Sequence, residues 1–229
     1  MYEGGGQIFR MSIAFAYILK QDIKISNIRK NRPKGGGLSN QHLTGLRSVS
    51  QLVPGCKVTG AELKSKTVEF SPGSKSISRT SYVADCKTPG AVQLILQMTL
   101  PCLLFQEKER CSLEIRGGTF VSASPTMFPL REVLLPTLAL FGVNASITAE
   151  YDGFFPDTVG GITAKIDAIT EPLKPVQMVD RGDLKEIRVH VKRTAGISET
   201  MYDTVFKPKL IEHLQAMGYE KDLLSFVDD

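Results

Sequence analysis

An α+β fold is predicted for this chain of 229 residues. Segments whose apolar residues recur at helical spacing alternate with shorter segments of period 2. The order of those segments repeats. Gln7 and Gln93 lie inside successive first helices 86 residues apart, and the pairs Ile28-Arg29 and Ile115-Arg116 end the following strands 87 apart. Tandem βαβαββ units of this kind imply four-stranded sheets, each with two helices on one face. The stretch Thr170 to Val176, with Pro172 and Pro175, marks a boundary. The domains are therefore read as residues 1–78, 79–176 and 177–229.

In the first unit, the apolar stretch behind Gly4-Gly5-Gly6 predicts a helix from Gly5 to Leu19, followed by a strand from Ile23 to Ile28. A second glycine run, Gly35-Gly36-Gly37, precedes a helix from Ser39 to Leu52, and strands follow at Lys57 to Ala61 and Thr67 to Phe70. The opening strand of this unit is expected to be missing, because Met1 sits almost on the first glycines. The second unit reads as strand Ser81 to Asp85, helix Gly90 to Phe105, strand Ser112 to Ile115, helix Leu130 to Phe141, and strands Ala145 to Tyr151 and Gly161 to Asp167. The third segment offers a strand, Glu186 to Lys192, and a helix, Glu199 to Met217. The chain is then expected to end before a second strand can pair, as the truncated start of a third unit or of an inserted domain.

At 42% hydrophobic, the chain can bury a sizeable core, which excludes disordered and collagen-like classes. The longest apolar runs, Leu94 to Phe105 and Leu134 to Val143, are short for a bilayer and contain or adjoin prolines, so no membrane partner is expected, and cytoplasm or nucleus is the expected location. Cys56, Cys86, Cys102 and Cys111 form no Cys-x-x-Cys pair and read as reduced thiols, with no zinc site. The net charge of +4 hides an asymmetry: residues 1–66 hold 11 Lys and Arg against 3 Asp and Glu, whereas residues 67–229 hold 17 against 21. A positive field concentrated beside the glycine runs favours encounter with polyanions.

Both glycine runs place bare backbone N–H groups at a helix start with arginines close by, which is a way to hold phosphate. Glu3 faces a divalent cation or a hydroxyl at the first run, and Arg10 follows one to two turns later. Arg29, Lys30 and Arg32 are followed by Pro33 and three glycines, so the guanidiniums hang on a loop of constrained start and pliable end. Arginine forks pair two phosphate oxygens at once. Gln41 and His42 open the next helix, where an amide and a neutral imidazole can donate to phosphate or ribose oxygens. His190, in a strand, and His213, on a helix, read as structural. Thr88-Pro89-Gly90 with Gln93 and Gln97 offers a second amide-rich helix start in the place of the first glycine run. No Walker, dinucleotide-binding, zincin or nucleophile-elbow motif is present.

The segments Glu3-Gly4-Gly5-Gly6-Gln7-Ile8-Phe9-Arg10 and Ile28-Arg29-Lys30-Asn31-Arg32-Pro33-Lys34-Gly35-Gly36-Gly37, with Gln41-His42-Leu43-Thr44, resemble the RNA 3'-terminal phosphate cyclase family. The likeness continues through Gly60-Ala61-Glu62-Leu63, Phe70-Ser71-Pro72-Gly73 and Ile115-Arg116-Gly117-Gly118-Thr119, and is specific over roughly residues 1–165. The resemblance implies three tandem units similar to the C-terminal domain of a bacterial translation initiation factor, with a smaller inserted domain. It also implies an ATP-dependent reaction needing Mg2+ or Mn2+. A histidine takes AMP from ATP, AMP passes to an RNA 3'-phosphate, and the neighbouring 2'-hydroxyl displaces it to leave a 2',3'-cyclic phosphate.

By motif position, the resemblance makes Glu3 the metal or nucleotide contact and Arg10, Arg29, Arg32, Gln41 and His42 the cradle for RNA phosphates or ATP. Gln97 and Pro125 fall in the nucleotide pocket. No catalytic residue carries over, because none of His42, His190 and His213 falls in the nucleophile's motif, and this chain alone is expected to be inactive. The chain departs from the family at Pro89, at Phe120 before Ser124-Pro125, at Phe128-Pro129 and along Pro156 to Gly161. The alternative is a non-catalytic cyclase-like factor for RNA binding or ribosome assembly.

Overall fold

The computed structural model describes residues 4–32 and 35–228. Glu3 and Pro33 therefore lie outside the described residues. The fold is α+β, and the chain divides into two compact units, Met1–Val176 and Gln177–Asp229.

Within the larger unit, helix α1 (Gly6–Leu19) buries Phe9, Ile13, Ala16 and Tyr17, which recur on one face. It stops at Lys20, whose left-handed backbone returns its N–H to Ala16 and Tyr17. Strand β1 (Ile23–Ile25), helix α2 (Asn40–Leu52), and strands β2 (Lys57–Thr59) and β3 (Val68–Ser71) follow. The three strands form an antiparallel sheet in the order β1-β3-β2. The expected strand to Ile28 stops at Ile25, and Ile28 instead makes a single parallel bridge to Gly4.

The second sheet follows the order β4-β5-β7-β6. Strand β4 (Ser81–Asp85) runs parallel to β5 (Arg110–Gly117) through the crossover helix α3 (Val92–Leu104), while β6 (Ala145–Tyr151) and β7 (Gly160–Asp167) complete it antiparallel. Helix α3 packs against both α1 and α2. Gly45 of α2 allows the approach: a Cβ there would lie 3.0 Å from the Met98 Sδ. One cluster of buried side chains runs from Phe9 and Leu46 through Ile95 and Met98 to Ile115 and Ile162.

The helix expected from Leu130 to Phe141 is split into α4 (Met127–Pro129), a π-helical turn (Leu130–Leu134) and α5 (Leu135–Leu140). Pro136 has no N–H to return and its ring crowds the carbonyl one turn back, so the backbone widens ahead of it.

The smaller unit begins its regular structure at β8 (Ile187–Val191) and continues through α6 (Glu199–Met201), a π turn (Tyr202–Phe206) and α7 (Lys207–Ala216). Pro208 stands two residues behind that π turn, as Pro136 does behind the first. Contrary to expectation, a second strand does pair: β9 (Leu224–Asp228) lies parallel to β8 with Ile187 opposite Leu224. The segment is five residues long with no turn motif behind it, which hid it from a pattern-based reading. No side chain of this unit is buried among its described residues.

Candidate anion-binding site

Gly4 is held by two backbone bonds, its N–H donating to Asn27 at 3.1 Å and its carbonyl accepting from Arg29 N–H at 2.8 Å. That tie sets the start of α1 against the Ile28–Gly37 loop. Gly37 returns its N–H to Ile28 at 2.7 Å, and its carbonyl accepts from the Arg29 guanidinium at 3.0 Å. Gly36 and Gly37 have positive φ, and a Cβ would fall 2.3 Å from the Arg29 backbone oxygen at Gly36 and 2.2 Å from that of Lys64 at Gly37, so only glycine closes this loop.

A cavity of about 340 Å³ opens where these segments meet. Gly6 and Gln7 from the start of α1, Gln41 and His42 from the start of α2, and Ala91 at the start of α3 all line it. Three helix amino ends thus converge on one space, each contributing a partial positive charge. Arg10, Arg29 and Arg32 line it as well, and its described lining residues include no carboxylate. Five residues singled out from the sequence, Arg10, Arg29, Arg32, Gln41 and His42, are brought together here.

Arg10 is buried, its Nε donates to Gln97 Oε1 at 2.8 Å, and burial alone lowers its pKa. Arg10 makes no ion pair among the described residues, so a desolvated guanidinium faces the cavity with no described counter-charge. His42 is 2% exposed, with its Nδ1 2.6 Å from Ser39 Oγ and its ring edge-on to Phe9 at 5.8 Å. Burial, followed by the charges of Arg29, Arg10 and Arg32, lowers its pKa to about 3, so the imidazole is neutral at pH 7. Its Nε2 is buried without a hydrogen-bond partner among the described residues.

Gln41 does more than face the cavity. Its Oε1 accepts from the Ala91 N–H at 3.0 Å, capping α3, which leaves its amide nitrogen as the end able to donate to a ligand. This bond corrects one expectation. The helix start at Thr88-Pro89-Gly90 is not an open amide cluster, because Gly90 N–H goes to Thr88, Ala91 N–H to Gln41 and Val92 N–H to Gly118. Gln93 is likewise spent internally, donating to the Thr119 carbonyl at 2.5 Å. Gln97 and Pro125 line a neighbouring apolar groove of about 310 Å³ with Met11, Gln93 and Leu94, and Leu94 and the Arg10–Gln97 bond join it to the anion cavity. His190 and His213 belong to the smaller unit. Glu3 is outside the described residues, and among those described no group of three His, Cys, Asp or Glu could hold a metal.

Sequence reasoning missed the far wall, Val121–Ser124. Its signal was the small-residue run Ser122-Ala123-Ser124, where Ala123 takes φ 59° to turn the chain. Phe120, which precedes it, stacks on Phe154 at 4.6 Å with Phe128 edge-on at 6.4 Å, so two residues that depart from the family's pattern anchor this wall. No helix among the described residues is long and apolar enough to cross a membrane.

Compared with known proteins, residues 1–223 match the family described as RNA 3'-terminal phosphate cyclase. The chain is 33% identical over 186 residues to a probable RNA 3'-terminal phosphate cyclase of Dictyostelium discoideum, covering 81% of this chain and 42% of that one. Against the RNA 3'-terminal phosphate cyclase of Desulfurococcus amylolyticus it is 31% identical over 230 residues, covering 96% and 63%. Against that of Methanosarcina mazei it is 38% identical over 172 residues, covering 75% and 46%. The chain thus spans 42–63% of the length of these relatives. Among solved structures, an EPSP synthase from Acinetobacter baumannii aligns with a TM-score of 0.32 at 12% identity over 76% of this chain and 49% of that one, too loose a likeness to carry weight.

Proposed function

The chain belongs to the RNA 3'-terminal phosphate cyclase family, and from that premise we propose that its cavity holds the 3'-phosphate end of an RNA for ATP-dependent conversion to a 2',3'-cyclic phosphate. One observation supports this above the rest: three guanidiniums and a buried, unpartnered imidazole nitrogen face a single space with no described carboxylate. A dianionic phosphate complements this positive lining, and arginine forks orient its oxygens. Neutral His42 and the Gln41 amide donate to the same group. Offsetting the negative charge on the phosphate with fixed donors favours its activation by AMP and the later attack of the 2'-hydroxyl on phosphorus.

ATP lies, in this reading, with Gln97 and Pro125 in the adjoining apolar groove, its phosphates toward Arg10. A divalent cation, Mg2+ or Mn2+, would sit with Glu3 and the nucleotide phosphates and would draw electron density from the α-phosphorus. The nucleophilic histidine is assigned to none of His42, His190 and His213. A neutral, buried His42 donating to the RNA phosphate is committed to binding. Incubation with α-labelled ATP followed by denaturation is therefore expected to leave no label on this chain, and retained label would overturn that assignment.

The binding reading is tested with short RNAs that differ only in ending with a 3'-phosphate or a 3'-hydroxyl. The phosphate end is expected to bind at least about tenfold more tightly, since each charge-assisted bond contributes about 1.5–3 kcal/mol. Replacing Arg29 and Arg32 by alanine should remove most of that preference. Equal affinity for both ends in the unaltered chain would favour the assembly-factor reading instead.

A further inference from the structure

We propose that Ser39 is a positioning residue that holds His42 in the tautomer bearing its proton on Nε2, so that the buried ring donates into the anion cavity. The proposal rests on the reading that this cavity takes a phosphate. Ser39 occupies the cap position before α2, where a serine ordinarily accepts a hydrogen bond from a backbone N–H two or three residues on. Here it makes no such bond. Its Oγ lies instead 2.6 Å from His42 Nδ1.

The partner of one imidazole nitrogen decides what the other can do. If Nδ1 carried the proton, Nε2 would present a lone pair to the cavity and repel an anionic oxygen. If the Ser39 hydroxyl donates to Nδ1, the proton sits on Nε2 and faces the ligand. Protonation of both nitrogens is closed off, because burial and three guanidiniums keep the ring neutral. Two further features show that the ring is aimed. The edge contact with Phe9 fixes its plane, and Gly6 clears its path, since a Cβ there would lie 2.6 Å from Nε2. That nitrogen is buried and lacks a partner, an arrangement that costs free energy until an acceptor arrives.

The experiment is nitrogen-15 NMR of the ligand-free, histidine-labelled chain at neutral pH, paired with binding of RNAs ending in 3'-phosphate or 3'-hydroxyl. Nδ1 is expected unprotonated and Nε2 protonated. Ser39→Ala should mix the tautomers and weaken binding of the phosphate end about tenfold with little effect on the hydroxyl end, and Ser39→Thr should restore both. A wild-type ring protonated at Nδ1, or a folded Ser39→Ala chain with unchanged tautomer and affinity, would overturn the proposal. Should Ser39→Ala fail to fold, the wild-type tautomer and the Ser39→Thr chain decide it. A wild-type chain that binds both RNA ends equally defeats the phosphate reading, while the tautomer spectrum still judges the role of Ser39.

Discussion

Gly6 sits in the first turn of α1 with the His42 imidazole where its side chain would be. Alanine suits that helical position, so Gly6→Ala should keep the melting free energy within about 1 kcal/mol. It should nevertheless weaken phosphate-end binding by an order of magnitude or more, because the ring must shift; calorimetry and RNA titration on one sample separate the two effects. His42 also makes stability depend on acidity. Its pKa is lowered from 6.5 to about 3 on folding, so between those values the unfolded chain binds a proton that the folded chain does not. The associated stability is complete above pH 6.5 and is lost as pH falls toward 3, with a slope of up to about 1.4 kcal/mol per pH unit. Denaturant melts across that window should show it, and His42→Gln should flatten it. At this scale the cavity's basic half was legible, because arginines beside glycines carry their own chemical argument. The Arg10–Gln97 bond was not, since its partners are 87 positions apart, and neither was the turn at Ala123, which no local rule requires.

The helices show how one residue reshapes an element. Pro136 and Pro208 each follow a π turn by two positions, and the period of apolar residues gives no sign of the widening. Pattern reading therefore found both helices and missed their interiors. It found α2 nearly whole, because Leu43, Leu46, Val49 and Leu52 keep their spacing and are all buried. The crossing of α2 and α3 yields a test. Gly45→Ala should lie within about 1 kcal/mol of the parent, as the gain in helix propensity is set against the flexible tip of Met98, whereas Gly45→Ile should cost about 1–3 kcal/mol by overpacking. Thermal denaturation of the two variants decides whether the contact is as close as described. Strand β9 marks the opposite limit, since five residues pair only because β8 offers an edge.

Among the described residues, buried side chains are confined to the larger unit. That segment, made alone, is expected to melt in one cooperative transition, and residues 177–229 alone to give a broad, shallow one; calorimetry of the two pieces checks both. The α+β class was readable at this scale because alternating periods survive substitution, while the sharing of one core by residues on both sides of position 78 was not, since packing between segments leaves no periodic trace.

Gln41 spans that seam with two ends of one amide, the oxygen fastened to the α3 start and the nitrogen left to donate in the cavity that Gln41 lines. A guest seated there works as a rivet through two plates. It tightens the joint between the halves as it binds, so that occupancy should read out as resistance to unfolding well before any chemistry occurs.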